Sequence, residues 1–134
     1  EKQISILKKS KTFIDHLKMY DQIDLALDTF PYNGVTTTFE ALWQSVPVLT
    51  LRGDNFLSRN GYSIMKNLGI EELISNSSDD YVLKAINLSN NFNDLQKIKK
   101  KIYENLSDSK LFDMESFTQS FENTLIECVN EKLQ

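Results

Sequence analysis

The sequence predicts an α/β fold: a Rossmann-like parallel sheet of about four strands, followed by a helical tail. Through residues 1–76, short apolar runs alternate with helical patterns, which is typical of βαβ units. The runs LALD and PVLTL lack polar alternation, as expected for strands covered on both faces. From residue 77 onward the apolar spacing is helical. We therefore predict a single domain over 1–134, with a βαβ region over 1–76 and a helical tail over 77–134.

Each predicted element has its own local signal. The first region contains four apolar runs that we predict to be strands: QISIL, DLALD, PVLTL and EELIS. Helical spacing fills the gaps, in TFIDHLKMYDQI, TTTFEALWQSV and LSRNGYSIMKNLG. Three more helices are predicted in the tail, where Ser77 and Asp113 precede two of them as N-caps. Because TTTFEALWQSV must pack on the sheet, we expect Leu42 and Trp43 in the core.

Composition excludes several classes of protein. The chain has 134 residues, a net charge of −4, one Cys and one His, which excludes an internal disulfide and a Cys/His zinc cluster. No apolar run approaches the about 20 residues that cross a bilayer, and the start lacks a secretory h-region. We expect a cytoplasmic chain with no membrane or nucleic-acid partner. The lysines at 97, 99, 100 and 101 are interpreted as the solvated face of a helix.

The loop after DLALD, residues 29–35, has the composition of an anion site. Ligands of parallel α/β sheets bind where such loops lead into helices. Gly34 lets the backbone approach a ligand, and the following helix would offer free N–H groups with hydroxyls at Thr36, Thr37 and Thr38. A helix N-terminus contributes up to about 2 kcal/mol, and each hydrogen bond to a charged group about 1.5–3 kcal/mol. These donors are sufficient for a diphosphate, but Thr36 acting only as a helix cap explains the spacing equally well.

Three further side chains are candidates near this loop. Glu40 lies one turn into the same helix and suits a pair of sugar hydroxyls, or it simply complements the helix dipole. His16, the only histidine, faces the same crevice if it lies near the start of its helix, and otherwise packs or lies on the surface. Tyr32 is compatible with either role. No GxSxG, GxxxxGK, HExxH or GxGxxG motif is present, so the residues alone indicate half of a nucleotide site, with no catalytic residue and no metal.

Residues 24–74 carry a specific family resemblance. The motifs, in order, are D-[LI]-x-L-D-T, P-Y-N-G-x-T-T, E-A-L-W, V-P-V-x-T, S-R and L-G-x-x-E-L-I. With QISILKKSKTFIDHLKMY before them and DYVLKAINLSN after them, the matching segments cover nearly the whole chain. The sequence resembles the carboxyl-terminal catalytic region of the O-linked N-acetylglucosamine transferase family, which includes Spindly-like proteins and usually carries tetratricopeptide repeats upstream.

The resemblance implies a partial carboxyl-terminal lobe of a GT-B glycosyltransferase. Such enzymes bind a sugar nucleotide, typically UDP-N-acetylglucosamine, in this lobe and transfer the sugar to Ser or Thr of proteins, with inversion and without a metal or other cofactor. The resemblance assigns sugar-nucleotide binding to six positions: Thr36 and Thr37 at the diphosphate, Glu40 at the ribose, His16 lining the nucleotide pocket, and Asn33 and Gly34 in the loop that shapes the phosphate site.

Two departures from the family pattern limit this expectation. Val35 stands where many relatives have a histidine that donates to the diphosphate, so UDP-glucose or GDP-fucose is an alternative donor. The chain also corresponds to a fragment without the acceptor lobe, which would engage the protein acceptor, and we expect it to be inactive alone. A non-catalytic binding or assembly domain is the rival interpretation. An open sheet edge and apolar surface also predict self-association of the fragment.

Overall fold

Three parallel strands form the centre of the molecule, in a computed structural model that describes residues 4–132. The strands are β1 (Ala26–Leu27), β2 (Val48–Leu51) and β3 (Ile74–Ser75), and they lie side by side in the order β1-β2-β3. Ala26 pairs with Val48 at one side of β2, and Thr50 pairs with Ile74 at the other. All four residues of β2 are buried, as the absence of polar alternation predicted.

Six helices surround the sheet. They are α1 (Phe13–Leu17), α2 (Thr36–Trp43), α3 (Asn60–Asn67), α4 (Ser78–Asn90), α5 (Phe92–Asp108) and α6 (Met114–Lys132). Single 3₁₀ turns at Lys18–Gln22, Phe56–Ser58 and Glu71–Leu73 complete the described elements. The predicted N-caps are confirmed, because the Ser77 hydroxyl accepts from the Asp80 N–H at 3.1 Å and the Asp113 carboxylate accepts from the Ser116 N–H at 3.0 Å.

The core lies between the sheet and the helices α2, α3 and α5. Each helix contributes the apolar residues that share its inner face, and the fully or nearly fully buried ones are Ala41, Leu42, Ile64, Met65, Leu68, Ile98 and Ile102. These positions follow the three-and-four spacing read from the sequence. The α/β class and the parallel sheet are therefore confirmed.

The prediction that QISIL forms a strand is wrong for those of its residues that the structure describes. Residues 4–10 form neither strand nor helix, and Ile4 and Ile6 are 80% and 93% exposed. A strand requires a hydrogen-bonded neighbour, and this apolar run has none among the described residues. Gln3 lies outside them. Within residues 4–132 the sheet therefore has three strands, where about four were predicted.

Trp43 was expected in the core, and that prediction is also wrong. Its side chain is 64% exposed, whereas Leu42, its neighbour in α2, is 1% exposed. Successive helical residues are rotated by about 100°, so only one of the two can face the sheet. Trp43 packs edge to face against Phe112, with ring centroids 5.7 Å apart.

The tail is helical as predicted, but only part of it packs. Leu95, Ile98 and Ile102 of α5 are buried, and the lysines at 97, 99, 100 and 101 form ion pairs on the wet face of that helix, as interpreted from the sequence. The apolar face of α6 is exposed, at Phe117, Phe121, Leu125 and Val129. Among residues 4–132, no helix combines the length and apolarity needed to cross a membrane. Self-association through the exposed surface stays a prediction.

Truncating the buried side chain of Ile102 should destabilise the domain more than truncating the side chain of an exposed neighbour. Ile102 is 0% exposed at the contact of α5 with the core, and Tyr103 on the same helix is 74% exposed. We expect Ile102→Ala to lower the free energy of unfolding by about 2–5 kcal/mol, and Tyr103→Ala to change it by no more than about 0.5 kcal/mol. Urea unfolding followed by circular dichroism measures both. Equal losses for the two variants would contradict this packing.

Candidate nucleotide site

The candidate site lies at the carboxyl edge of the sheet, where the loops after β1 and β2 meet. Asp28 and Thr29 follow β1, and Arg52 follows β2. The two loops are tied together, because the Asn33 N–H donates to the Leu57 carbonyl at 3.1 Å. Parallel strands place all such loops at one edge, so the residues that precede α2 and α3 converge there.

The N-terminus of α2 is open. Val35 occupies the N-cap position and has no side-chain group that could cap the helix, and no other side chain of residues 4–132 caps it. Thr36 and Thr37 in the first turn are exposed. The interpretation of Thr36 as the helix cap is therefore not supported, because Thr36 lies inside the helix rather than at its N-cap. The first N–H groups of α2 and the two hydroxyls face solvent as potential donors to an anion.

Asn33 and Gly34 set the shape of the loop before α2. Asn33 is fully buried, donates from Nδ2 to the Thr29 carbonyl at 3.0 Å and accepts from the Gly61 N–H at 3.3 Å. A Cβ at Gly34 would lie 2.5 Å from the Thr37 hydroxyl, so any larger residue would displace that donor. These two residues hold the loop, and Asn33 has no accessible atom to offer a ligand.

Glu40, His16 and Tyr20 form a hydrogen-bonded cluster beside the open helix end. The Nε2 of His16 lies 3.0 Å from Oε2 of Glu40 and donates to it, because an ionised carboxylate can only accept. The Tyr20 hydroxyl lies 3.2 Å from the same oxygen and 3.3 Å from the Thr37 carbonyl. Both side-chain contacts use Oε2. Among residues 4–132, no side chain or backbone group donates to Oε1, and the Glu40 side chain as a whole is 18% exposed.

Burial and the Glu40 carboxylate act together on Tyr20. Desolvation, the negative charge of Glu40 and the hydrogen bond to it raise the pKa of the Tyr20 hydroxyl to about 12. Tyr20 therefore keeps its proton at neutral pH and acts as a donor. This fixed donor holds Glu40 against α1 and the following turn.

Asp28 joins β1, β2 and the loop before α2. Its carboxylate accepts from the Gly34 N–H at 2.8 Å and from the Thr50 hydroxyl at 2.7 Å. Burial raises the pKa of this carboxyl, and the hydrogen bonds from Gly34, Thr50 and Thr29 only partly offset that effect. The backbone carbonyl of Asp28 accepts from the Tyr81 hydroxyl at 2.9 Å, which connects the site to α4.

A pocket of ≈ 160 Å³ lies beside the loop before α2, and Tyr20, Asp28, Gly34 and Thr37 are among its lining residues. Of the six predicted positions, only Gly34 and Thr37 line it. Ligand pockets for whole small molecules are commonly about 300–1,000 Å³. This pocket has room for part of a sugar nucleotide. No group of three His, Cys, Asp or Glu side chains in the described part of the chain could hold a metal ion.

The structure brings most of the predicted positions together. His16 contacts Glu40, Glu40 is linked through Tyr20 to Thr37, and Asn33 and Gly34 support the loop beside them. Tyr32 is 60% exposed and stays without an assigned role. Whether the six positions bind a sugar nucleotide stays a prediction.

The sequence interpretation missed three residues of the cluster: Tyr20, Asp28 and Thr50. Tyr20 follows His16 by four positions, which places the two on one helical face, and their rings meet edge to face at 5.6 Å. Asp28 ends the apolar run of β1 at the edge where ligands bind. Thr50 gave no signal, because a threonine inside an apolar strand is ordinary.

The raised pKa of Asp28 predicts the direction in which the free energy of unfolding changes with pH. An acid whose pKa is higher in the folded than in the unfolded state binds more protons when folded, so its protonation stabilises the fold as pH falls through the folded pKa. We expect the free energy of unfolding of the wild type, relative to Asp28→Asn, to rise from neutral pH down to the ordinary carboxyl value of 3.8. Asparagine keeps an oxygen that can accept from Gly34.

Carboxyl carbon NMR provides the matched control for this prediction. The Ser116 hydrogen bonds lower the pKa of Asp113, so its resonance should titrate below 3.8 and that of Asp28 above it in one experiment. Urea unfolding at each pH supplies the stability difference. A free-energy difference that fell on acidification would contradict the role of burial at Asp28.

Three comparisons with known proteins agree on one family. Residues 4–121 match the model of glycosyl transferase family 41. Relatives include "Probable UDP-N-acetylglucosamine--peptide N-acetylglucosaminyltransferase SPINDLY" of Solanum lycopersicum, 38% identical over 81% of this chain and 12% of that protein. A Caenorhabditis elegans protein, "UDP-N-acetylglucosamine--peptide N-acetylglucosaminyltransferase", is 29% identical over 83% of this chain and 10% of its own length.

The solved structure of an O-GlcNAc transferase mutant from Thermobaculum terrenum superposes with a TM-score of 0.77. The two sequences are 36% identical, and the match covers 83% of this chain and 21% of the Thermobaculum terrenum chain. The chain thus spans about a tenth of the length of the curated relatives it matches, at 12% and 10%. The open end of α2, the parallel sheet and the family model lead to one conclusion, that the chain belongs to glycosyl transferase family 41.

Proposed function

We propose that this chain is the sugar-nucleotide-binding part of a protein O-glycosyltransferase, with UDP-N-acetylglucosamine as donor and Ser or Thr of proteins as acceptor. The single observation that carries the proposal is the uncapped N-terminus of α2, with exposed Thr36 and Thr37 in its first turn. The relatives are named as UDP-N-acetylglucosamine–peptide N-acetylglucosaminyltransferases. These names support the proposed donor and acceptor.

In this proposal the diphosphate lies at the end of α2. The N–H groups of the first turn and the hydroxyls of Thr36 and Thr37 donate to its oxygens, and the helix dipole adds attraction. Transfer proceeds with inversion and needs no metal, because backbone and hydroxyl donors take up the charge of the leaving diphosphate.

The ribose would bind at Glu40. Its Oε2 is held by His16 and Tyr20, which directs the free Oε1 away from them. A carboxylate oxygen accepts hydrogen bonds from ribose hydroxyls in other nucleotide-binding folds. His16 and Tyr20 act here as positioning residues for the Glu40 carboxylate.

Val35 bears on the choice of donor. Valine offers no side-chain hydrogen bond at the N-cap of α2, so the diphosphate depends on Thr36, Thr37 and backbone donors. None of these contacts distinguishes uracil from guanine or one sugar from another. UDP-glucose and GDP-fucose therefore stay alternative donors for the same diphosphate site. Comparing UDP with GDP separates these alternatives.

Replacing both threonines should weaken nucleotide binding without harming the helix. We expect UDP to bind the 134-residue chain saturably, and Thr36→Ala/Thr37→Ala to raise the Kd by about ten-fold or more, because two hydrogen bonds to a charged group are lost. Alanine favours helix, so α2 should persist. Calorimetric or NMR titration with UDP and with GDP measures the effect.

Thr118→Ala/Thr124→Ala is the matched control for this titration. Both threonines lie on α6 and bond only to backbone carbonyls one turn earlier, at 2.8 and 2.9 Å. This control variant should bind UDP like the wild type. Equal UDP affinity in the wild type and in the α2 variant would contradict the proposed diphosphate site. A preference for GDP over UDP would indicate GDP-fucose as the donor.

The isolated chain should transfer no sugar. A complete inverting site holds donor, acceptor and base together, whereas this chain matches about a tenth of its relatives' length and forms a pocket of ≈ 160 Å³. We expect no product from UDP-N-acetylglucosamine and acceptor peptides above a no-protein blank. Measurable transfer by the isolated chain would overturn this expectation.

A chimera separates the transferase from the non-catalytic rival. Residues 4–121 would replace the matched segment of the Thermobaculum terrenum transferase, whose superposition covers 83% of this chain. We expect the chimera to transfer N-acetylglucosamine, and the Thr36→Ala/Thr37→Ala chimera to lose most of that activity. A folded chimera that bound no nucleotide would instead favour a binding or assembly domain.

A further inference from the structure

Both arginines of the chain converge on one tyrosine. The sequence contains only Arg52 and Arg59, against thirteen lysines. The guanidinium carbon of Arg52 lies 4.9 Å from the centroid of the Tyr62 ring, and that of Arg59 lies 5.6 Å from it. Arg52 directly follows β2, and Tyr62 lies in the first turn of α3. The carboxyl edge of the sheet therefore carries two cations on one aromatic ring.

Neither guanidinium has an acidic partner in the described part of the chain. Six lysines form ion pairs with carboxylates within 4.0 Å, whereas no such pair involves Arg52 or Arg59. Asp54 lines the same surface depression as Arg59 but forms no ion pair with it. Two like charges held near each other repel, and the arrangement leaves that repulsion uncompensated by protein groups.

Arginine stacked on a ring is well suited to bind an oxyanion. A contact of the guanidinium carbon with the ring uses none of the N–H groups as conventional donors, so they stay free to donate to a ligand. Those donors match the spacing of two oxygens of a phosphoryl group. Tyr62 packs against the core, so the ring is a fixed platform for both cations.

We propose that Arg52, Arg59 and Tyr62 form a binding site for a phosphoryl group, separate from the donor site at α2. The site lies on the edge that carries Thr36 and Thr37, because Asn33 bonds to Leu57 and to Gly61 and so joins the loop before α2 to the loop before α3. The phosphoryl group belongs either to the diphosphate of a nucleotide that contacts both sites or to a separate ligand, such as a phosphorylated side chain.

The arginine side-chain N–H signals give a direct test. The chain has two arginines, so a proton–nitrogen NMR spectrum of arginine ε groups should contain two resonances. We expect inorganic phosphate and O-phosphoserine, added to the whole chain at low ionic strength in a buffer without phosphate, to shift both resonances saturably in the millimolar range. Chloride at matched ionic strength should leave them nearly unmoved.

Variants assign the effect to the proposed residues. Arg52→Gln or Arg59→Gln should weaken phosphate binding by about ten-fold, because charge-assisted hydrogen bonds are lost. Lys110→Gln removes one exposed positive charge elsewhere and should have no effect. Asp54→Asn should tighten binding, because it removes a negative charge beside Arg59. Tyr62→Phe should bind like the wild type, and Tyr62→Leu more weakly.

Titration of UDP into Thr36→Ala/Thr37→Ala distinguishes the source of the phosphoryl group. If UDP shifts the arginine signals in the wild type and not in this variant, the nucleotide itself supplies the group. If phosphate and O-phosphoserine shift them equally in both proteins and UDP shifts them in neither, the ligand is separate and the site stands even where the proposed donor site fails. Arginine signals that respond to neither ligand, or that respond equally to chloride, would overturn the proposal.

Discussion

The carboxylate of Asp28 is the constraint on which the site depends. One oxygen accepts from the Gly34 N–H and the other from the Thr50 hydroxyl, so a single side chain fixes the loop before α2 to the central strand. The ionised carboxylate is destabilised by burial, yet two short hydrogen bonds satisfy it. A Cβ at Gly61 would lie 2.6 Å from Asp28, so α3 can approach only because that position is glycine. Packing around one charge thus fixes the position of the α2 end, which is open because Val35 at the N-cap has no capping group.

The second constraint is the sharing of Glu40 by His16 and Tyr20. Two donors on one oxygen orient the Glu40 carboxylate and leave its second oxygen without a hydrogen bond among the described residues. His16 and Tyr20 lie 24 and 20 residues from Glu40 in sequence, at the end of α1 and in the turn that follows it. The short α1 segment has no fully buried residue, so its polar contacts with α2 add to the packing of Leu17 against the core in positioning it.

Local signals in the sequence predicted most of the fold, and long-range contacts explain what they missed. Caps such as Ser77 and Asp113 act within one turn, so they could be read directly. QISIL has the composition of a strand, but composition does not show whether a neighbouring strand is available for pairing. None pairs with it among the described residues. Trp43 and Leu42 are equally apolar, and only the direction of α2 against the sheet decides which is buried.

The same distinction applies to the site. Thr36, Thr37 and Glu40 lie within one helix, so helical spacing was enough to place them together. The Asp28–Thr50 bond joins residues 22 positions apart, and the convergence of Arg52 and Arg59 on Tyr62 requires the turn between β2 and α3. Neither could be predicted without the parallel register that brings the strand ends to one edge.

The distribution of charge supports a function for that edge. The chain has a net charge of −4, so it has no overall attraction for phosphates, and its paired lysines lie in ion pairs on helical faces. Both arginines and the open end of α2 nevertheless lie on the loops at the carboxyl ends of the strands. Two arginines without an acidic partner in the described part of the chain and an uncapped helix end therefore lie close together at this edge, and together they attract anions to it although the chain as a whole is negative.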